Sequence, residues 1–259
     1  MNNKEIIVPA DAQNKKALVV FSGGLDSTIL LHWAKQNFKE VEAISFDFKQ
    51  NFQVNYDANK IMFQNNVVEL LYARDTARKL NIKHHIIDVH FMDAILCSMQ
   101  ADSERFNGDI NNHQPKTCMP FRNMMLLSIA LSIAELNNAD YILTGYQTQD
   151  QHGYWDTSEK FVSLINEVSQ LNRAAKPKVI APFTHLNKSD EILVGQQLNV
   201  DFAKTWTCYN PILTKKALDE NQHINGYYCC GKCPSCQDRL LNFAKLGLKD
   251  PQLYIDNEK

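Results

Sequence analysis

The sequence lacks any apolar run that approaches the roughly 20 residues needed to span a bilayer. The longest candidate, residues 124–136, contains Ser128, Ser132 and Glu135 and is typical of a buried amphipathic helix. The first 16 residues are polar and lack the continuous apolar core of a signal peptide. We therefore expect a cytoplasmic protein with no membrane partner, in which the cysteines stay reduced.

The sequence also lacks a surplus of positive charge. It contains 27 Lys and Arg residues and 29 Asp and Glu residues, for a net charge of −2. Proteins that bind a nucleic-acid backbone usually carry a basic surplus. We therefore expect no direct nucleic-acid partner, although a local basic pocket for a nucleotide is compatible with this charge. Internal repeats and low-complexity tracts are absent as well. The 259 residues, 44% of them hydrophobic, suffice for one large domain with or without a small appendage.

Short apolar runs alternate with helical patterns along the first 200 residues. Strands are predicted at residues 17–21, 41–48, 84–89, 140–144 and 178–181, and helices at 28–35, 67–80, 121–136, 161–171 and 189–198. This alternation predicts an α/β fold with a doubly wound, mostly parallel sheet. Two polar stretches, 49–66 and 99–120, are predicted to be long loops at the C-terminal edge of the sheet, where such sheets bind ligands. We expect one α/β domain over residues 1–200 and a cysteine-rich module with a C-terminal helix over residues 201–259.

Residues 22–28, with the sequence SGGLDST, lie between the first predicted strand and the first predicted helix. Two adjacent glycines allow a tight turn that brings backbone N–H groups against an anion. The helix, expected to begin near Thr28, adds its positive N-terminal end. The segment has neither a Walker-type lysine nor a dinucleotide fingerprint. It predicts another kind of phosphate loop, formed by Ser22, Gly23, Gly24, Leu25, Asp26, Ser27 and Thr28.

Four of the seven cysteines follow a metal-binding pattern. Cys230, Cys233 and Cys236 are spaced by two residues each, and Cys208 lies 22 residues before Cys230. Four cysteines in close pairs favour a closed tetrahedral Zn²⁺ site. An iron–sulfur cluster, a catalytic thiol pair and reduced cysteines without a metal stay open as alternatives, and the adjacent Cys229 could compete as a ligand. Cys97 and Cys118 are expected to be ordinary apolar or loop residues.

Together these motifs resemble the 7-cyano-7-deazaguanine synthase family, of the PP-loop ATP pyrophosphatase superfamily, over about residues 16–247. SGGLDS matches the family's loop, and Lys188 matches a lysine before a helix. The other matching segments are Pro120-Phe121-Arg122-Asn123; Thr144-Gly145 with Asp150, Gly153, Tyr154 and Asp156; Thr207-Cys208-Tyr209-Asn210; and Cys230, Cys233 and Cys236 with Arg239.

The chain departs from the family pattern on the substrate side. Residues 48–52 (FKQNF) and the polar residues after them stand where the family reads Y-G-Q-R-H and enters a helix directly. Phe121 replaces the glycine before the motif arginine, and Thr157-Ser158 replace Cys-Arg. The resemblance therefore covers the nucleotide and metal motifs more closely than the surroundings of the substrate.

The resemblance implies an ATP-dependent, C–N bond-forming ligase that adenylates 7-carboxy-7-deazaguanine, releases AMP and pyrophosphate, amidates the acid with ammonia and dehydrates the amide to the nitrile precursor of queuosine. It implies ATP, Mg²⁺ and Zn²⁺ as cofactors and Cys208, Cys230, Cys233 and Cys236 as metal ligands. Asp26, Arg122 and Lys188 are the candidate catalytic residues, and the strand end at Phe46 and Asp47 is expected to meet the adenine. Candidate substrate-binding residues are Gly145, Asp150, Gly153, Tyr154 and Asp156; Asp156 is expected to read the guanine edge, Tyr154 to stack on the base, and Asp150 to bind Mg²⁺ or to position ammonia.

Three other functions remain compatible with the sequence. The nearest is a synthase-like ligase in antiviral defence that joins the activated carboxylate to an amine of a protein acceptor. The second is a PP-loop tRNA-modifying enzyme, which the net charge does not support. The third is a non-catalytic zinc module with a degenerate loop, against which Ser22, Asp26, Arg122 and Lys188 count. We also expect a homodimer.

Overall fold

The computed structural model describes residues 6–48, 61–92, 121–148, 150, 154–213 and 227–255, with side chains in the second helix described from residue 66 onward. The strands are β1 (Lys16–Val20), β2 (Glu40–Asp47), β3 (Lys83–Asp88), β4 (Tyr141–Leu143), β5 (Lys178–Ile180), β6 (Ile212–Leu213) and β7 (Tyr227–Tyr228). The α-helices are α1 (Leu25–Asn37), α2 (Ile61–Lys79), α3 (Arg122–Leu136), α4 (Glu159–Ser169), α5 (Lys188–Gln197) and α6 (Pro234–Lys245). Short 3₁₀ turns lie at Ala12–Asn14, Trp155–Thr157 and Phe202–Lys204.

The first five strands form one parallel sheet in the order β3-β2-β1-β4-β5. In β1, Ala17 pairs with Val41 of β2 on one side and with Tyr141 of β4 on the other. The chain runs outward from β1 to β3 and then returns to place β4 beside β1, so the strand order reverses between β1 and β4. Open α/β sheets bind ligands at this switch point, beyond the carboxyl ends of the strands. The predicted α/β fold with a doubly wound parallel sheet is confirmed.

Both faces of the sheet are covered by helices. Side chains alternate across a strand, so Ala17 and Val19 of β1 pack in one apolar core with α1, α2, α5 and α6. Leu18 belongs to a second core, with α3 and α4 on the opposite face. Burial on both faces explains why β1 is a continuous apolar run in the sequence.

Two element boundaries differ from the sequence-based prediction. Helix α1 begins at Leu25 rather than near Thr28, because Gly24 has extended backbone angles and serves as its N-cap. Asp26, Ser27 and Thr28 therefore lie in the first helical turn. The polar stretch predicted as a loop up to residue 66 is helical from Ile61 onward. The rest of that stretch, residues 49–60, and the second predicted loop, residues 99–120, lie outside the described residues, as do Cys97 and Cys118.

A buried arginine ties together distant parts of the C-terminal segment. Arg239 of α6 is 2% exposed and forms two hydrogen bonds with the carboxylate of Asp250, at 2.8 and 3.0 Å. It also donates to the Thr205 hydroxyl at 2.7 Å and to the Phe202 carbonyl at 2.8 Å. The arginine thus fixes the stretch that leads into Cys208. In the described part of the chain, no helix has the length and apolar character of a membrane span.

Candidate functional site

The predicted phosphate loop leaves β1 at the switch point and turns directly into α1. The hydroxyl of Ser22 accepts a hydrogen bond from the Gly24 N–H at 3.1 Å, and the Ser22 N–H donates to the Ser27 hydroxyl at 3.2 Å. The two hydroxyl oxygens are 3.0 Å apart. The N–H groups of the first helical turn have no acceptor within the helix, and the helix dipole adds positive potential there. The loop is therefore preorganised to accept an anion.

Gly23 is the position in this loop that only glycine can occupy. Its φ is +86°, and a Cβ built on it would lie 2.4 Å from the Glu69 carbonyl oxygen and 2.8 Å from the Ala73 nitrogen, both in the backbone of α2. Its own carbonyl accepts from the Trp206 N–H at 2.9 Å. Helix α2 and the segment before Cys208 therefore both fix the loop.

Lys188 and Asp26 form an ion pair beneath the loop. A capping box between Asn187 and Asp190 starts α5 and places Lys188 in its first turn. The Lys188 ammonium donates to both carboxylate oxygens of Asp26. The Lys188 side chain is 8% exposed and that of Asp26 is 28% exposed, so the carboxylate lies between the ammonium and the solvent. Burial raises the pKa of Asp26, but the charge of Lys188 and the hydrogen bonds to the carboxylate together outweigh burial and hold that pKa below its usual value. The pair is ionised at neutral pH.

Two further carboxyl groups, Glu191 and Asp150, surround this ion pair. Glu191 is fully buried, and its Oε2 lies 3.9 Å from the Lys188 nitrogen. Burial and the charge of Asp26 raise the pKa of Glu191 well above its usual value. The same two causes, in the same order, raise the pKa of Asp150 to about 6. The cluster consequently carries less negative charge at neutral pH than its three carboxyl groups suggest.

A cleft opens above the ion pair, between the ends of β1 and β4. One wall is polar and is formed by the phosphate loop, whereas α3 supplies an apolar wall. The lining residues are Val20, Ser22, Gly24, Asp26, Ser27, Asn123, Leu126, Leu127, Thr144, Gly145 and Tyr146. A cleft of this kind can hold the polyphosphate of a nucleotide against the loop and a second substrate against α3.

The predicted substrate residues take up different positions. Gly145 lines the cleft, and Asp150 accepts a hydrogen bond from the Gln147 N–H at 3.2 Å. Asp156 is 2% exposed, and its Oδ2 accepts from the Asn123 N–H at 3.0 Å, in the first turn of α3. This contact caps the N-terminus of α3 from a segment outside the helix. The role of Asp156 in reading the guanine edge stays a prediction. Tyr154 is half-buried, and its N–H donates to the Asp150 carbonyl at 2.8 Å. Gly153 lies outside the described residues.

Two other predicted nucleotide contacts lie around the cleft. Arg122 begins α3 and immediately precedes Asn123, which lines the cleft. The backbone of Phe46, expected to meet the adenine with that of Asp47, is held by the buried side chain of Asn66, whose amide donates to the Phe46 carbonyl at 3.1 Å. Both assignments stay predictions.

Phe121 stands where the family pattern has glycine, and its backbone shows why glycine suits the position. Its φ is +54°, in the left-handed region, where a bulky side chain is strained. The ring is 56% exposed and packs edge-on against Trp155, with centroids 5.3 Å apart. The substitution therefore places an aromatic pair just before Arg122, outside the cleft lining.

The four predicted metal ligands converge. The Sγ atoms of Cys208, Cys230, Cys233 and Cys236 all lie within 4.8 Å of one another and are buried. A tetrahedral ion with sulfur ligands at about 2.3 Å needs its sulfurs roughly 3.8 Å apart, so the four thiols fit such an ion after a small contraction. Six backbone N–H groups donate to three of these sulfurs at 3.2–3.4 Å, which suits thiolates. Cys229 is buried nearby but is not part of this group of four.

Comparison with known proteins agrees with this geometry. The family model for queuosine biosynthesis protein QueC matches residues 16–247. The chain belongs to this family. A 7-cyano-7-deazaguanine synthase of Marinomonas sp. (strain MWYL1) is 33% identical over 93% of this chain and 99% of its own length. Synthases of the same name from Psychromonas ingrahamii and Clostridium kluyveri are 31% and 33% identical, over 94% and 93% of this chain and 99% and 98% of their own lengths.

The QueC match spans both the phosphate loop and the cysteine cluster, so the predicted family resemblance is confirmed.

Two residues of the site were missed by the sequence analysis. Tyr146 follows Gly145 directly at the strand end, a position that α/β sheets use for ligands. Glu191 lies three residues after Lys188 and therefore on the same helix face. The positions of these two residues in the sequence could have suggested that they belong to the site.

Proposed function

We propose that the protein is a 7-cyano-7-deazaguanine synthase, an AMP-forming ligase that converts a deazaguanine carboxylic acid into its nitrile. The observation that carries this proposal is the anion-binding loop at the switch point, in a chain that aligns with synthases over nearly its full length. Nothing in the described structure favours a protein acceptor or a tRNA substrate, and the homodimer stays a prediction.

The reaction proceeds through two adenylations. A carboxylate oxygen of 7-carboxy-7-deazaguanine attacks the α-phosphorus of ATP, the bond to the β-phosphate oxygen breaks, and pyrophosphate leaves. Ammonia then attacks the acyl carbon, AMP leaves with the former carboxylate oxygen, and a proton is lost to give the amide. The amide oxygen attacks a second ATP in the same way. Loss of AMP and of the remaining two N–H protons forms the nitrile.

The residues in and around the cleft fit the charge changes in these steps. The loop N–H groups hold the β- and γ-phosphates, which leaves the α-phosphorus open to attack. Arg122 and Lys188 offset the negative charge that develops on the phosphates, and Asp26 holds Lys188 in place. Asp156 keeps one carboxylate oxygen on α3 and offers the other to the N–H groups of a guanine-like edge.

The metal ions have separate roles in this proposal. Mg²⁺ accompanies the phosphates of ATP and neutralises part of their charge. Cys208, Cys230, Cys233 and Cys236, whose Sγ atoms converge, would hold Zn²⁺ in a closed, structural site. Because the Trp206 N–H bonds to Gly23 of the phosphate loop, order in the cysteine cluster supports the loop.

Oxygen labelling tests the proposed atom transfer. We expect that 7-carboxy-7-deazaguanine with ¹⁸O in both carboxyl oxygens yields AMP with one ¹⁸O per molecule and a nitrile without label, as measured by mass spectrometry. Label in pyrophosphate, or AMP without label, would exclude attack by the substrate oxygen on the α-phosphorus. A folded Ser22→Ala variant serves as the control and should form no AMP. Omitting ammonium should stop the reaction before the amide.

A further inference from the structure

Glu191 is a buried carboxyl group to which the proposed reaction assigns no role. It is fully buried, and neither carboxyl oxygen accepts a hydrogen bond from the described side chains and backbone groups. The ammonium of Lys188 is 3.9 Å from Oε2, beyond hydrogen-bond length, and already donates to both oxygens of Asp26. An ionised Glu191 would therefore be a buried charge with an incomplete set of partners, which costs several kcal/mol.

The charged groups that surround Glu191 come from three elements. They are Asp26 of α1, Lys188 of α5 itself, and Asp150 after β4. The carboxyl groups of Glu191 and Asp26 both lie beside the Lys188 ammonium, which contacts both oxygens of Asp26 and is 3.9 Å from Oε2 of Glu191. Two neighbouring carboxyl groups can share a hydrogen bond only when one of them carries a proton. Asp26 is held ionised by its contacts with Lys188, so the proton resides on Glu191.

We propose that Glu191 is a positioning residue for the phosphate loop. As a neutral carboxylic acid it donates its O–H to Asp26 and fixes the carboxylate that in turn orients Lys188. Because Glu191 is neutral in this arrangement, it adds no negative charge near the phosphate site. This inference rests on the proposed binding of ATP at the loop and is independent of which carboxylic acid is adenylated.

Two variants of similar size separate hydrogen-bond donation from packing. Glu191→Gln keeps a donor toward Asp26, whereas Glu191→Met fills the same space without one. We expect the affinity for α,β-methylene-ATP, measured by calorimetry, to stay within about threefold in Glu191→Gln and to fall roughly 10- to 150-fold in Glu191→Met. Equal losses in both variants would show that the ionised carboxylate is required and would overturn the proposal. Unchanged affinity in both would also overturn it.

A direct observation of the proton covers the case in which Glu191→Met does not fold. In protein labelled with ¹³C at the glutamate carboxyl carbons, we expect one resonance at the position of a protonated carboxyl at pH 7, and its absence from Glu191→Gln. Lack of such a resonance in the wild type would refute the protonated state. A wild-type protein that shows the resonance but binds no ATP analogue would contradict the proposed function instead.

Discussion

Replacing Gly23 with alanine should distort the phosphate loop and weaken nucleotide binding. The added methyl group would be held at φ +86°, and it would lie 2.4 Å from the carbonyl oxygen of Glu69 and 2.8 Å from the nitrogen of Ala73. Both contacts are with the backbone of α2, which cannot rotate away as a side chain could. Either α2 or the loop must move.

The magnitude follows from two separate costs. Left-handed backbone angles cost a non-glycine residue about 1–2 kcal/mol. Overpacking of a close contact adds about 1–3 kcal/mol. We therefore expect Gly23→Ala to lower the free energy of unfolding by about 2–5 kcal/mol, which in a chain of this size lowers the melting temperature by roughly 5–20 °C. The displaced loop should also bind ATP weakly even where the variant is folded.

Gly247 provides a matched control for the backbone cost. Its φ is +68°, but a methyl group added there meets nothing within 4 Å. Gly247→Ala should therefore lose only about 1–2 kcal/mol and keep its affinity for ATP. Thermal unfolding and calorimetric titration with α,β-methylene-ATP measure both effects. Equal destabilisation in the two variants, with wild-type ATP affinity in Gly23→Ala, would refute the close packing of the loop on α2.

Three further outcomes follow from charge and burial. Arg239→Ala should cost about 3–5 kcal/mol in urea unfolding, because it leaves the buried carboxylate of Asp250 without its positively charged partner; a loss below about 1 kcal/mol would contradict this. Because the pKa of Asp150 is raised to about 6, the group is neutral below that pH and adds a negative charge above it. The affinity for the ATP analogue should therefore fall as the pH rises through this pKa, and it should fall less in Asp150→Asn. Identical pH profiles in the wild type and in Asp150→Asn would show that the charge of Asp150 does not affect nucleotide binding. Elemental analysis should find one zinc per chain. Cys208→Ser should lower both the zinc content and the stability, whereas Cys229→Ser should leave the zinc content unchanged. Iron in place of zinc would contradict the assignment.

The sequence predicted those parts of the fold that depend on local patterns. The buried run in β1 identified the central strand because both of its faces are covered. The spacing of Cys230, Cys233 and Cys236, together with Cys208, identified the four cysteines that converge in the structure. The helix start was placed near Thr28 instead of Leu25, because a glycine pair signals a turn without showing which glycine caps the helix. Residues 61–66 were predicted as a loop because they end a stretch rich in Asn, Gln and Asp, although they begin a helix.

The polar network beneath the loop could not be predicted in the same way. Lys188 and Asp26 are separated by 162 residues, and only the pairing of strands brings their helices together. The pattern of α5 shows that Glu191 shares a face with Lys188, but it does not show that this face meets another carboxylate. Similarly, the segment around Asp156 suggested substrate binding, whereas its contact with the first turn of α3 depends on tertiary structure.

Counting AMP against product tests the central claim most directly. Purified protein is incubated with ATP, Mg²⁺, ammonium and 7-carboxy-7-deazaguanine, and AMP, pyrophosphate and the deazaguanine products are quantified together. We expect two AMP and two pyrophosphate molecules for each nitrile formed, and no AMP above background without the deazaguanine. Formation of ADP, or AMP formation that does not depend on the deazaguanine, would contradict the account.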